Sequence, residues 1–302
     1  MPHPRFGLPA LAADRGRPAP ASALAGGAGC HHGRVTEVDG ALDRLRAAVA
    51  AHGPMVVAFS GGADSALLAH VATEVLGAGT DGARCATAVS PSLPDDELAD
   101  CRALADEWGL AWEPVTTDEL DDPAYRANGP DRCARCKDAL WRALEPLAGG
   151  AAVALGVNVD DLGDHRPGQE LARERGAVFP LVEAGFTKEL VRAASRQLGL
   201  RTADKPAAAC LASRLPHGTP VTLGRLGQVE RAEAGLRRLG FGALRVRHHG
   251  EVARLEVPID RLAEVVDRRE EVAEALRGGG FRYVALDLDG LRSGSLNPLP
   301  TA

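Results

Sequence analysis

The chain has 302 residues, with 45% hydrophobic and 25% charged side chains and a formal charge of −6. That composition is ordinary for a globular protein and leaves room for two domains with cores of their own. It lacks the clustered Lys and Arg that a protein devoted to nucleic acid needs, and no apolar run approaches the ~20 residues of a membrane span.

The first 34 residues are rich in Ala, Gly and Pro and carry no helical or strand periodicity. Without the apolar block of a secretory signal, they read as a disordered leader or as sequence upstream of the true start in a GC-rich gene; His31 and His32 within it are given no metal role. The expected compartment is cytoplasmic, so the six Cys are expected as thiols, ligands or catalysts rather than structural disulfides. From Val35 to His52 the spacing of Leu42, Leu45 and Val49 predicts an amphipathic helix. The apolar run Val56-Val57-Ala58-Phe59 predicts a buried strand. It breaks at Ser60-Gly61-Gly62 into a helix from about Asp64 that stops at Gly77. Strands are expected at 85–89, 112–115, 151–155 and 178–181. Helices are expected at 95–108, around Leu140, Leu144 and Leu147, and after Thr187 as N-cap. This alternation from 54 to 200 predicts an α/β domain with a parallel sheet covered on both faces and ligands at the carboxyl ends of its strands. Beyond about residue 220 the order becomes α-β-β-α-β: a helix at 223–239, strands at 244–248 and 252–257, a helix at 260–276 and a strand at 283–288. The expected division is a leader at 1–34, a nucleotide domain at 35–205 and a small α+β domain at 206–302.

The strand–turn–helix junction suits an anion. Gly61 and Gly62 let the backbone bend tightly and approach a ligand, and the free N–H groups of the new helix point at what lies over the turn. Ser60 and Ser65 add hydroxyls, and Asp64 is a candidate Mg²⁺ ligand bridging phosphates. No Lys follows the glycines and no G-x-G-x-x-G is present, so neither the lysine-bearing P-loop nor the dinucleotide fingerprint applies. The S-G-G-x-D-S pattern resembles the PP-loop of the ATP pyrophosphatase superfamily, whose members split ATP between the α and β phosphates and adenylate an oxygen of their substrate.

Cys133 and Cys136 form a C-x-x-C whose sulfurs share one side of a helical turn and can reach one metal or cluster. No second C-x-x-C or nearby His pair completes a closed zinc site. The third thiol is Cys210, in the polar, Pro-rich segment from Asp204 to Arg214 that joins the two expected domains. Three thiolates on a cube-shaped iron–sulfur cluster leave one iron open. A redox pair or incidental thiols is the alternative for Cys133 and Cys136. Cys85 and Cys101 fall on apolar faces and read as core residues, and Cys30 lies in the leader.

The PP-loop at 60–65, the run Leu155 to Gly168, Ala209-Cys210-Leu211-Ala212-Ser213-Arg214 and the closing Leu286 to Ser295 together resemble the LarE family. These are ATP-dependent sulfur transferases of nickel-pincer cofactor biosynthesis, and the match runs from about 37 to 296. The resemblance implies that each carboxylate of pyridinium-3,5-biscarboxylic acid mononucleotide attacks the α-phosphate of ATP. Sulfur then displaces AMP to leave a thiocarboxylate. Some members sacrifice the sulfur of a single Cys at the position of Cys210. Others carry three Cys resembling Cys133, Cys136 and Cys210 that hold a [4Fe-4S] cluster, and this chain is expected to be of that catalytic type. The resemblance also suggests a homo-oligomer.

Arg245, Arg247 and Arg292 are candidates for the phosphate of that mononucleotide, because guanidinium binds phosphate bidentately and residues two apart on a strand share a face. Arg214, closing the cysteine motif, is counted with them; solvated arginines are the alternative for the strand pair. Asp160, Asp161, Asp164 and Arg166 lie near the ligand edge, in metal, substrate or capping roles. Three rivals stand beside this reading: a PP-loop tRNA 2-thiolation enzyme, an ammonia-using ligase resembling NAD synthetase, and a non-enzymatic nucleotide-binding module. The first needs a basic surface that this composition lacks, and the second leaves the cysteines without a task.

Overall fold

The computed structural model describes residues 29–163, 167–206 and 209–292. The expectations for residues 1–28, for Asp164, His165 and Arg166, and for Ser293 to Ser295 lie outside them. Helix α1 (Gly29–His52) begins upstream of Val35, where the periodicity predicted it. Strand β1 (Met55–Ala58), helix α2 (Ala63–Leu76), β2 (Ala83–Val89), α3 (Asp95–Trp108) and β3 (Trp112–Thr116) follow. A short helix α4 (Pro123–Arg126) leads to α5 (Arg132–Ala148) and β4 (Ala152–Leu155). These four strands form one parallel sheet in the order β3-β2-β1-β4.

Alternation along the strands covers both faces. Met55 and Val57 pack with Leu42, Leu45 and Val49 of α1 and with Leu67, Leu68 and Val71 of α2. Val56, pointing the other way, packs with Trp141 and Leu144 of α5. Val153 and Leu155 join the second cluster while Ala154 joins the first. Buried on both sides, β1 and β4 are continuous apolar runs, while the edge strand β3 is largely exposed and carries Glu113 and Pro114. This is the α/β architecture that the alternating pattern predicts.

Three further helices, α6 (Pro167–Glu174), α7 (Pro180–Glu183) and α8 (Lys188–Gln197), complete this layer. The strand expected at 178–181 is not formed. Val178 makes a single parallel bridge to Ala154, and the chain then turns into α7 with Pro180 at its first position. Proline has no N–H to give a ladder but is pre-set for a first helical turn, so the apolar run ends in a helix. Thr187 caps α8 as expected, its Oγ1 accepting from the Leu190 N–H at 3.2 Å.

The rest of the chain folds as α9 (Leu223–Arg238), β5 (Arg245–His249), β6 (Val252–Glu256), α10 (Leu262–Asp267), α11 (Arg269–Gly278) and β7 (Tyr283–Leu286). The single helix expected from Asp260 is broken at Arg268, between α10 and α11. β6 pairs antiparallel with β5 and parallel with β7. Val246, Ala253 and Leu255 face α9 and α11 in a cluster that also takes Tyr125 from α4. The other face carries Arg245, Arg247, Arg254 and Glu256, with Arg247 opposite Arg254 and Arg245 opposite Glu256.

Candidate active site

The end of β1 and the start of α2 build one wall. Gly61 has φ +66°, and a Cβ there would stand 2.9 Å from Cys101 Sγ and 3.5 Å from Lys205 Nζ, so only glycine makes this turn. Gly62 caps α2 without a side chain, leaving the first N–H groups free of a side-chain partner. Ser65 Oγ accepts from the Ser60 N–H at 3.2 Å, lies 3.0 Å from Ser60 Oγ, and donates to the Gly62 carbonyl at 3.2 Å. Behind this turn Gly156 touches α2 directly: a Cβ on it would meet Ser65 N at 2.7 Å.

Two carboxylates face the same space. Asp64 accepts from the Asn158 side-chain amide at 2.9 Å. Burial pushes the Asp64 carboxyl upward, the Asn158 bond draws it down, and the charge of Asp161 adds to the rise. Asp161 and Asn158 bond reciprocally through side chain and backbone, and Lys188 Nζ lies 3.2 Å from Asp161. Asp160 turns away and accepts from the Lys188 N–H at 2.8 Å, which gives it the capping role at α8. Two close carboxylates with phosphate oxygens nearby suit Mg²⁺, which takes one or two carboxylates and fills its shell from substrate and water.

Cys133 and Cys136 occupy the first turns of α5, the former exposed and the latter half-buried. Both line the cavity that Ser60, Gly62, Asp64, Ser65 and Asp161 line, a space of about 760 Å³. Cys210 is exposed at the start of a short 3₁₀ turn and is not among the residues that line this cavity. Burial, then the neighbouring Cys210, and more weakly Glu119 and Cys133, push the Cys136 thiol up to about 12. Among the described residues no three His, Cys, Asp or Glu side chains are close enough to hold a single metal ion. A cube-shaped cluster takes one thiolate on each of three irons, so its ligating sulfurs stand farther apart than those of one ion. Cys85 and Cys101 are buried core residues; burial pushes the Cys85 thiol up to about 12, and Cys101 packs beneath Gly61.

The four arginines come together but are not equivalent. Arg214 is buried and grips Glu233 with Nε at 2.8 Å and Nη2 at 3.0 Å, while Nη1 donates to the Ala209 and Cys210 carbonyls. Arg247 is buried against Glu256 at 2.9 Å and donates to the Ser213 carbonyl at 2.9 Å. Arg245 is partly exposed and donates to the Arg292 carbonyl at 3.2 Å; burial, then the charges of Arg247 and Arg214, push its pKa down. Arg292 is exposed and pairs with Asp289 at 3.1 Å. Arg245 and Arg292 are the less buried pair, although Arg292 also faces Asp287 at 3.5 Å, and Arg214 bonds the Cys210 loop.

The sequence reading assigned no role to Asn158, Glu233, Glu256, Arg254 or Lys205. Arg254 could have been found from strand alternation, since it shares a face with Glu256; Glu233 gave no local signal. Lys205 Nζ bonds Glu97 and Asp100, each at 2.7 Å, directly behind the Gly61 turn.

A parallel sheet whose first strand turns through Ser-Gly-Gly into a helix over paired carboxylates defines a protein of the PP-loop ATP pyrophosphatase class. No protein-family profile matches the chain. It is 45% identical over 251 residues to the uncharacterized protein slr1717 of Synechocystis sp., covering 82% of this chain and 92% of that one. It is 39% identical over 246 residues to the pyridinium-3,5-bisthiocarboxylic acid mononucleotide synthase of Lactiplantibacillus plantarum, covering 80% and 88%. The uncharacterized protein MJ0830 of Methanocaldococcus jannaschii is 25% identical over 242 residues, covering 79% and 91%. The chain belongs to the LarE family, the family of the lactobacillar synthase, and is an enzyme.

Proposed function

We propose that this enzyme is an ATP-dependent sulfur transferase that converts the carboxylates of pyridinium-3,5-biscarboxylic acid mononucleotide to thiocarboxylates for nickel-pincer cofactor synthesis. The observation that carries the reading is the shared cavity: Ser60, Gly62, Asp64 and Ser65 line one side and Cys133 and Cys136 another. The 39% identity to a synthase of the bisthiocarboxylate supports the choice of substrate.

A carboxylate is a poor acyl donor because oxide is a poor leaving group. In the proposed route its oxygen attacks the α-phosphorus of ATP, the bond to the bridging oxygen of the β-phosphate breaks, and pyrophosphate leaves. The acyl-adenylate then loses AMP as a sulfur nucleophile attacks the acyl carbon, leaving the thiocarboxylate. The Gly61–Gly62 turn and the N–H groups of α2 receive the phosphates. Asp64, with Asp161 beside it, would hold Mg²⁺, which neutralises the pyrophosphate as it departs. Cys133, Cys136 and Cys210 would hold a [4Fe-4S] cluster, which would carry an extra sulfide for transfer. Arg245 and Arg292 grip the substrate phosphate, with Arg247 and Arg214 fixing the strand and loop behind them. Among the described residues no helix is long and apolar enough to cross a membrane. The reading carries a cytoplasmic location, a homo-oligomer and no nucleic-acid partner.

A second reading, sacrifice of the Cys210 sulfur, is favoured by the exposure of that thiol. One experiment separates them: the anaerobically reconstituted protein is given ATP, Mg²⁺, sodium sulfide and the biscarboxylate nucleotide, and small molecule and protein are weighed together by mass spectrometry. Several oxygen-to-sulfur exchanges per chain at constant protein mass support the cluster. Loss of the Cys210 sulfur supports sacrifice, and absence of any thiocarboxylate removes the substrate assignment.

A further inference from the structure

Asn128 is the only non-glycine residue with a left-handed backbone among the described residues, at φ +58°. It is fully buried in the turn between α4 and α5, ahead of the C-x-x-C. Its Nδ2 faces three carbonyl oxygens of the segment that follows Cys210: Pro216 at 2.8 Å, Thr219 at 2.9 Å and Leu215 at 3.4 Å. Its Oδ1 accepts from Arg132 Nη1 at 2.6 Å, and the same Nη1 donates to the Ala212 carbonyl at 2.9 Å. The Asn128 carbonyl accepts from the Gly218 N–H at 3.1 Å.

Arg132 directly precedes Cys133, and Ala212 lies two residues beyond Cys210. A guanidinium and an amide, both buried, thus tie the backbone beside one thiol to the backbone beside another. A second tie runs parallel: the Leu211 N–H donates to the Ser92 carbonyl at 2.8 Å, and Ser92 Oγ lies 2.7 Å from the Tyr125 hydroxyl on α4. Left-handed backbone at a non-glycine residue and buried polar groups both cost free energy, and both persist only where surrounding contacts hold them. Apart from their bond to each other, the side-chain partners of these two residues lie on the Cys210 side.

We propose that Asn128 and Arg132 are positioning residues that keep the α5 thiols, Cys133 and Cys136, within reach of Cys210. The purpose of that arrangement rests on the sulfur-transfer reading; its geometry is testable without it. Asn128 is fully buried outside the cavity that Cys133 and Cys136 line, whereas Arg132 also lines it beside Cys133.

The test uses the full chain without iron and dibromobimane, which bridges two thiols only when their sulfurs are close. Asn128→Gly keeps the left-handed backbone and deletes the amide; Arg132→Lys keeps the charge and loses the forked reach. Bridges from Cys210 to Cys133 or Cys136, read by peptide mass spectrometry, are expected to fall by about fivefold or more in either variant, the scale of a lost buried hydrogen bond. Asn128→Gly should still bind an ATP analogue, and iron taken up on reconstitution should fall in step with bridging. Unchanged bridging with a lowered melting temperature would overturn the proposal, since the pair would then support the fold alone. If Asn128→Gly does not fold, Arg132→Lys decides the matter by the same readout. Reduced bridging in a protein whose wild type takes up no iron would uphold the positioning role and sink the cluster. Wild-type iron uptake with unaltered bridging in both variants would do the reverse.

Discussion

The Asn158 amide donates to the Asp64 carboxylate at 2.9 Å, joining the loop after β4 to the first turn of α2. Asp64 is thereby aimed into the cavity with one oxygen engaged and the charge of Asp161 nearby. Residues that orient a metal-binding carboxylate typically contribute 10- to 100-fold in metal affinity, so Asn158→Ala is expected to weaken Mg²⁺-dependent ATP binding by roughly that factor. Calorimetric titration with and without Mg²⁺ checks this. An unchanged Mg²⁺ requirement would free Asp64 from the metal role.

The glycines of the turn should respond unequally. Gly156→Ala sets a Cβ 2.7 Å from Ser65 N and 2.8 Å from Ser65 Cα, against the backbone of a helix packed on β1 and β2. A loss of about 1–3 kcal/mol is expected, the usual result of overpacking, together with weakened ATP binding. Gly61→Ala adds the penalty of a left-handed alanine. Gly62→Ala, at φ −79° and 3.5 Å from Ser60 Oγ, should fold as the wild type does. Urea melts of the three variants test the order; a Gly62→Ala protein less stable than Gly156→Ala would contradict it.

Glu233 is fully buried and accepts from Arg214, Arg237 and the Val246 N–H. Replacing it by Gln leaves Arg214 buried without its counter-charge, and a destabilisation of about 3–5 kcal/mol follows. Adding Arg214→Met should recover part of that loss, because the two residues are coupled. Strict additivity in the double variant would mean that the pair is not a unit.

Behind the turn, Lys205 bridges Glu97 and Asp100. Burial alone would raise the Asp100 carboxyl, but hydrogen bonds from Lys205 and Arg201 and their charges hold it below its ordinary value of 3.8. Burial would lower Lys205, yet its bonds to Asp100 and Glu97 keep it above 10.5. The Asp100 contribution is therefore complete above pH 3.8 and fades as pH falls through its depressed pKa. The Lys205 contribution is complete below pH 10.5 and fades as pH rises through its raised pKa. Lys205→Met should flatten both flanks of a melting-temperature profile; wild-type acid and alkaline flanks in that variant would refute the bridge.

Local chemistry was legible from the residues alone. Asp95 to Trp108 forms the predicted helix residue for residue, Thr187 caps where its hydroxyl predicts, and the Ser-Gly-Gly turn sits at a strand's carboxyl end. Each depends on neighbours within one turn of chain: an apolar period, a hydroxyl three residues from its N–H, a glycine where a Cβ cannot fit. Where a local rule was outweighed by another, as at Pro180, the strand expected there became a helix.

Which charged residues are free to act was decided only by the tertiary structure. Arg214, Arg245, Arg247 and Arg292 look alike as sequence, yet Glu233 and Glu256 bury two of them and leave the others toward solvent. Asn128 shows no local sign that its amide will meet carbonyls from residues 215 to 219. A buried charge or amide is stable only beside its partner, and those partners come from distant parts of the chain. Periodicity and turn chemistry therefore determined the elements, while long-range electrostatics decided which side chains are structure and which are left for chemistry.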